Sequence, residues 1–118
     1  MLPMTHASRA PIPAPLRPVI SALCDVAAGL SDTISRGPLG PALAESVGNN
    51  TDGDVQKALD VMADEAFAGA LSGTGVRWYA SEEREEVIEI DVNGALALAI
   101  DPLDGSSNID ANVSLGTF

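Results

Sequence analysis

Residues 95–100 read ALALAI, six consecutive apolar side chains with no polar residue to mark a solvent face. A strand of this kind has to be covered on both sides. The run is far too short to cross a membrane as a helix. Helices are the usual cover for such a strand, so the chain is expected to form a layered α/β arrangement. Just upstream, VIEIDV (87–92) is separated from this run by Asn93-Gly94, the strongest short signal for a two-residue hairpin turn, so the two runs are expected to pair antiparallel. Before them, Val76, Trp78 and Ala80 alternate with Arg77, Tyr79 and Ser81, a third strand with Trp78 and Tyr79 on opposite faces.

The covering helices are legible as well. Val19, Ile20, Leu23, Val26, Ala27, Leu30 and Ile34 recur at helical spacing, and Gly37-Pro38 ends the pattern, which predicts a helix over 19–36. Cys24 lies within it and is expected to be a small buried apolar residue, since a single cysteine has no internal disulfide partner. Residues 37–54, rich in glycine, proline and asparagine, read as a loop. A second helix is predicted over 55–71, with Val55, Leu59, Met62, Ala66 and Ala70 on its apolar face. The first 18 residues hold five prolines and read as a flexible arm before one domain over 19–118.

Acidic residues outnumber basic ones 17 to 6, for a formal charge of −11. That balance argues against nucleic acid or an anionic membrane surface as the main partner. No signal-peptide pattern or membrane-length apolar run is visible, and a cytoplasmic location is the expectation. The hydrophobic fraction, 46%, is that of a folding chain rather than a disordered one.

The acids are not scattered. If the three strands run up, down and up, the first and third end on the same side. The first then delivers Glu82 and Glu83, and the third delivers Asp101. Counting back from the expected hairpin also puts Asp101 opposite Glu86. Several carboxylates therefore gather at the carboxyl edge of the sheet, where ligands of α/β proteins usually bind. Crowded carboxylates repel one another, and a divalent cation relieves the repulsion. All-oxygen donors with no usable histidine or cysteine favour Mg²⁺ or Mn²⁺ over zinc. Pro102 holds Asp101 extended and turns the chain so that Asp104 points back beside it, with the Leu103 carbonyl between them as a further hard oxygen. Gly105, Ser106 and Ser107 then follow as a backbone cradle suited to phosphate oxygens. Taken singly, these features are also those of a capped turn and a solvated charged face; their joint arrangement is what points to phosphoryl transfer.

The stretch DPLDGSSNID (101–110), with SEE (81–83) before it and DGDVQKALDV (52–61) further upstream, closely resembles the class I fructose-1,6-bisphosphatases of the lithium-sensitive, metal-dependent sugar phosphatase superfamily. The resemblance runs over roughly residues 19–118 and implies the N-terminal part of that layered fold, two helices followed by a mixed sheet with a hairpin. It implies that Asp54, Glu82, Asp101, Asp104 and the carbonyl of Leu103 hold two or more Mg²⁺ ions. It also implies that Asp60 and Glu83 position and deprotonate the attacking water, and that Asp104, Gly105, Ser106, Ser107 and Asn108 contact the reacting phosphate. The implied reaction removes the 1-phosphate of fructose 1,6-bisphosphate, and the implied assembly is a homotetramer.

Two departures qualify what is carried over. RAPIPAPLRP (9–18) lacks the stretch found before the first helix in AMP-inhibited members, and one cysteine does not make the redox switch of chloroplast members. Family members also continue well beyond a segment like NVSLGTF (112–118), so the chain reads as an N-terminal fragment. Other readings are a sister phosphatase acting on sedoheptulose bisphosphate, inositol phosphate or a phosphonucleotide, a non-catalytic cation-binding module, or an inactive interaction fragment.

Overall fold

The computed structural model describes residues 11–36, 52–104 and 116–118, and the side chains of 52–55 are not among the described ones. Pro13 leads into a 3-10 turn at Ala14–Leu16, closed by the Leu16 N–H donating to the Pro13 carbonyl at 2.9 Å. Helix α1 (Arg17–Ser35) follows directly, with Pro18 in its first turn, where the missing N–H costs no intrahelical bond. The helix therefore starts two residues earlier than its periodicity suggests. Residues 1–10 and 37–51, in the expected arm and loop, lie outside the described residues. Helix α2 spans Asp52–Ala70.

The two helices pack on each other and on one side of a three-stranded sheet made of β1 (Val76–Ser81), β2 (Ile88–Glu89) and β3 (Leu96–Ile100). The core is formed by Val19 and Leu30 of α1, Leu59, Ala63 and Phe67 of α2, Leu71, and the inner-face residues Val76, Tyr79, Ile100 and Leu103. On α2 the buried stripe runs Leu59, Ala63, Phe67, each four residues on. The expected stripe included Ala66, which is exposed, and omitted Phe67, which is fully buried. Cys24 is also exposed, against expectation, because α1 turns Val19, Leu30 and the half-buried Ala22, Leu23, Val26 and Ala27 to the core and the opposite side outward.

The sheet order is β2-β1-β3, with β1 antiparallel to β2 and parallel to β3. This corrects the expected pairing of 87–92 with 95–100. The hairpin is β1–β2, and β3 lies on the other side of β1, so the register that set Asp101 opposite Glu86 does not exist. The parallel relation of the first and third strands stands.

The crossing occurs at the amino end of β1. Asp91 N–H donates to the Val76 carbonyl at 3.0 Å, Gly94 N–H closes a turn on the Asp91 carbonyl at 2.8 Å, and Leu96 N–H reaches the Gly75 carbonyl at 3.1 Å. Gly94 is needed there for close approach. A Cβ on it would stand 2.4 Å from the Gly75 oxygen and 2.9 Å from the Arg77 nitrogen.

Two further expectations change. Register slips by one residue between Val76 and Trp78, a bulge that places Val76 on the same face as Tyr79. Trp78 is 43% exposed and Tyr79 is fully buried, on opposite faces as the alternation suggests. Among the described residues, β3 is covered on one face: Leu96, Leu98 and Ile100 turn toward the core, while Ala97 and Ala99 are exposed. The helices lie on one side of the sheet, and alanine is small enough to leave the other side open without a large apolar patch.

Candidate metal and phosphate site

Parallel pairing brings the carboxyl ends of β1 and β3 together. Ser81 stands beside Ile100, and the Glu82 N–H continues the ladder by donating to the Ile100 carbonyl at 3.1 Å. The next residue of β3 is Asp101. Carboxylate oxygens of Glu82, Glu83 and Asp101 consequently lie within 4.8 Å of one another. Glu82 and Asp101 also line an open depression with Ala80, Ser81, Ala99, Ile100 and Phe118.

Backbone contacts fix both approaches to this trio. After β1, the chain turns with the Arg84 N–H donating to the Ser81 carbonyl and the Glu83 N–H to Ser81 Oγ, both at 3.1 Å. After β3, Pro102 and Leu103 are buried in a turn. Gly116–Phe118 then runs antiparallel to Asp101–Asp104: Asp104 N–H donates to Gly116 at 2.7 Å, Gly116 N–H to Asp104 at 3.1 Å and Phe118 N–H to Asp101 at 3.0 Å. Asp101 N–H donates in return to the Phe118 carbonyl, and Thr117 Oγ1 to that of Pro102 at 2.9 Å. Asp101 is thus held through both its backbone groups by Phe118 while its side chain is left to the site.

The electrostatics are those of an under-satisfied acidic cluster. Among the described residues, Asp101 Oδ1 is buried without a hydrogen-bond partner. Burial raises the Asp101 carboxyl above its usual range, the Glu82 carboxylate raises it further, and Asp104 and the Leu103 N–H pull the other way. Glu83 is also raised, first by partial loss of water and then by the Asp60, Glu82, Asp101 and Asp64 carboxylates.

Of the residues singled out in the sequence, the structure brings Glu82, Glu83 and Asp101 into one cluster. It sets Asp104 beside Asp101, and Asp60 of α2 within electrostatic reach of Glu83. Leu103 is buried in the turn between the two aspartates. Asp54 lies in the first turn of α2, but its side chain is outside the described residues, as are Gly105, Ser106, Ser107 and Asn108.

Sequence reasoning missed Asp64, Tyr79 and Arg84. The Tyr79 hydroxyl donates to Asp64 Oδ1 at 2.8 Å, and Arg84 Nε pairs with Asp64 Oδ2 at 2.6 Å. A signal was present: Asp64 falls one helical turn after Asp60 beside the Leu59–Ala63–Phe67 stripe, and Arg84 is the one cation inside SEEREE.

The donor set suits a hard divalent cation. Among the described residues it offers carboxylate and backbone oxygens, it concentrates negative charge, and it contains a buried oxygen that no described donor satisfies.

A protein-family model described as "Fructose-1-6-bisphosphatase, N-terminal domain" matches residues 4–118. A class 1 fructose-1,6-bisphosphatase of Bradyrhizobium sp. is 61% identical over 104 residues, covering 88% of this chain and 31% of the relative. One of Paracoccus denitrificans is 58% identical over 107 residues, covering 91% and 32%. Among solved structures, the holo form of Leishmania major fructose-1,6-bisphosphatase superposes with a TM-score of 0.70 at 29% identity, covering 97% of this chain and 34% of that one. The chain spans about a third of the length of the relatives it matches.

Proposed function

The chain belongs to the fructose-1,6-bisphosphatase family, and from that premise we propose that it supplies the metal-binding half of a phosphatase site that hydrolyses the 1-phosphate of fructose 1,6-bisphosphate. The observation that carries this reading is the Glu82, Glu83 and Asp101 cluster, gathered within 4.8 Å at the carboxyl ends of two parallel strands.

Glu82 and Asp101, together with Asp104, the Leu103 carbonyl and Asp54, would hold Mg²⁺, with Mn²⁺ as a substitute. Bound there, the cations neutralise phosphate oxygens and lower the pKa of water. Glu83 takes the proton of the attacking water. Asp60, within electrostatic reach of it, shares that task. Gly105–Asn108 orient the reacting phosphate through backbone N–H and hydroxyl donors. Asp101 is fixed at its backbone by paired hydrogen bonds with Phe118.

In the same reading the protein works in the cytoplasm as a homo-oligomer, a tetramer by family resemblance, and binds neither nucleic acid nor membrane. Among the described residues no helix is long and apolar enough to cross a membrane.

The test is a hybrid enzyme in which this chain replaces the matching N-terminal third of the Bradyrhizobium relative. Phosphate release from fructose 1,6-bisphosphate should depend on Mg²⁺ and should exceed release from sedoheptulose 1,7-bisphosphate or inositol phosphate. A preference for either of the latter would move the substrate assignment to a sister phosphatase.

A further inference from the structure

We propose that Asp64, Tyr79 and Arg84 form a positioning network that pins the turn carrying Glu82 and Glu83 onto helix α2, and so sets Glu83 against Asp60. The proposal deepens the functional reading above and rests on it for the roles of Glu83 and Asp60.

The three residues come from three elements. Asp64 lies one helical turn beyond Asp60 on α2, Tyr79 on the inner face of β1, and Arg84 in the turn after β1. Asp64 is 4% exposed and Tyr79 0%. A carboxylate that deep in a core has to be matched by donors and by charge. Tyr79 supplies the donor, its hydroxyl reaching Oδ1 at 2.8 Å, and Arg84 supplies the charge, its Nε lying 2.6 Å from Oδ2 in an ion pair that lacks hydrogen-bond geometry. The same hydroxyl lies 3.3 Å from the Asp64 carbonyl, and the Arg84 guanidinium sits 6.0 Å from the centre of the Tyr79 ring. Asp64 thus joins the other two, and the Arg84 charge lies at the outer limit of a cation–π relation with the Tyr79 ring.

What the network holds is the site. Arg84 follows directly on Glu82 and Glu83, and its own N–H closes the turn on Ser81. The carboxylates of Glu82, Glu83 and Asp101 repel one another, and Glu83 also faces Asp60 and Asp64. Without an anchor, that repulsion would open the turn away from α2. Arg84 counters it by joining the turn to a buried carboxylate whose position is fixed by a fully buried tyrosine. Because Asp64 and Asp60 share one helix, the anchor also fixes Asp60 relative to Glu83. None of the three residues meets the reacting atoms; they act through Glu83 and Asp60.

The paired replacement Asp64→Asn with Arg84→Gln tests this, since it removes both charges together, leaves a polar side chain at each position and strands no buried ion. Amide hydrogen exchange on the chain itself should speed up at least tenfold at Glu82, Glu83 and Arg84, with α2 and β3 amides unchanged. In the hybrid enzyme, kcat should fall about 10–100-fold, the range for residues that orient reacting groups, with KM within twofold. Arg84→Lys alone, which keeps the charge, should recover kcat to within a few-fold of wild type. Unchanged exchange at the turn would overturn the proposal. So would faster exchange with an undiminished kcat, which would make the network a structural staple. A wild-type hybrid with no phosphatase turnover would sink the functional reading, and the exchange measurement would still decide whether the triad holds the turn.

Discussion

The two ends of the sheet treat their carboxylates in opposite ways. At the amino end, Asp91 accepts the Gly73 N–H at 3.0 Å and the Gly75 N–H at 2.9 Å, and these bonds hold its pKa below the usual range. Gly73 and Gly75 adopt φ of 81° and 94°, which turns successive N–H groups toward one acceptor. At the carboxyl end, Glu83 and Asp101 crowd with Glu82, Asp101 has an oxygen without a described donor, and both carboxyls are raised. One end is closed by its own backbone. The other is left open, and its unsatisfied charge is what a cation or a phosphate ester would meet.

The sharpest break of that contrast is Asp101→Asn in the hybrid enzyme. It should cost more than 100-fold in turnover, beyond the roughly 10–100-fold of outer residues. The melting temperature should hold or rise, because like-charge repulsion is relieved. Undiminished Mg²⁺-dependent turnover would show that the open end is not the site.

Next in size is the division between neighbouring glutamates. Glu83→Gln should lower kcat by about 100-fold, the lower end for loss of a general base, at an unchanged Mg²⁺ midpoint. Glu82→Gln should raise the Mg²⁺ concentration needed for half-maximal activity. Equal midpoint shifts in the two variants would erase the distinction.

How far the sequence foretold these two ends differs, for a physical reason. The carboxyl end was legible because Glu82, Glu83 and Asp101 need only parallel first and third strands to meet, and that relation survives a wrong neighbour assignment. The amino end was misread. Asn93-Gly94 matches a hairpin turn locally, yet Gly94 serves to let the chain cross over Gly75, a contact of residues 19 apart that no local pattern encodes. The bulge before Trp78 likewise reset which side of β1 Val76 faces. Asp64 and Arg84 escaped notice because charge on a helix and in an acidic run is usually solvated; only the fold shows that Asp64 is buried with Tyr79 above it.

Gly94→Ala tests the closed end. The added Cβ meets backbone atoms rather than a movable side chain, so the cost should be roughly 2 kcal/mol, the range for overpacking a well-filled site. That is about a 30-fold change in the folding equilibrium. Denaturant melts should show a lower midpoint. In the hybrid enzyme, turnover per folded molecule should stay near wild type, because the substitution lies at the far end of β1 from Glu82. A Gly94→Ala protein as stable as wild type would mean that the crossing is looser than its contacts imply.

The smallest effect is also the one that reads the closed end most directly. Because the Asp91 pKa is lowered by folding, its contribution to stability is fully present above the unfolded value, about 3.9, and is lost as pH falls through the lower folded value. Asp91→Asn keeps an acceptor oxygen for Gly73 and Gly75 but has no charge to titrate. Thermal melts of the two proteins in metal-free buffer should differ by a constant amount from pH 7 to pH 5. Below about pH 4 the curves should converge, as wild-type Asp91 takes up its proton and surrenders the charge-assisted part of its bonds. A gap that stayed constant down to pH 2 would mean that the charge on Asp91 does not matter, and that the glycine turn is held by geometry alone.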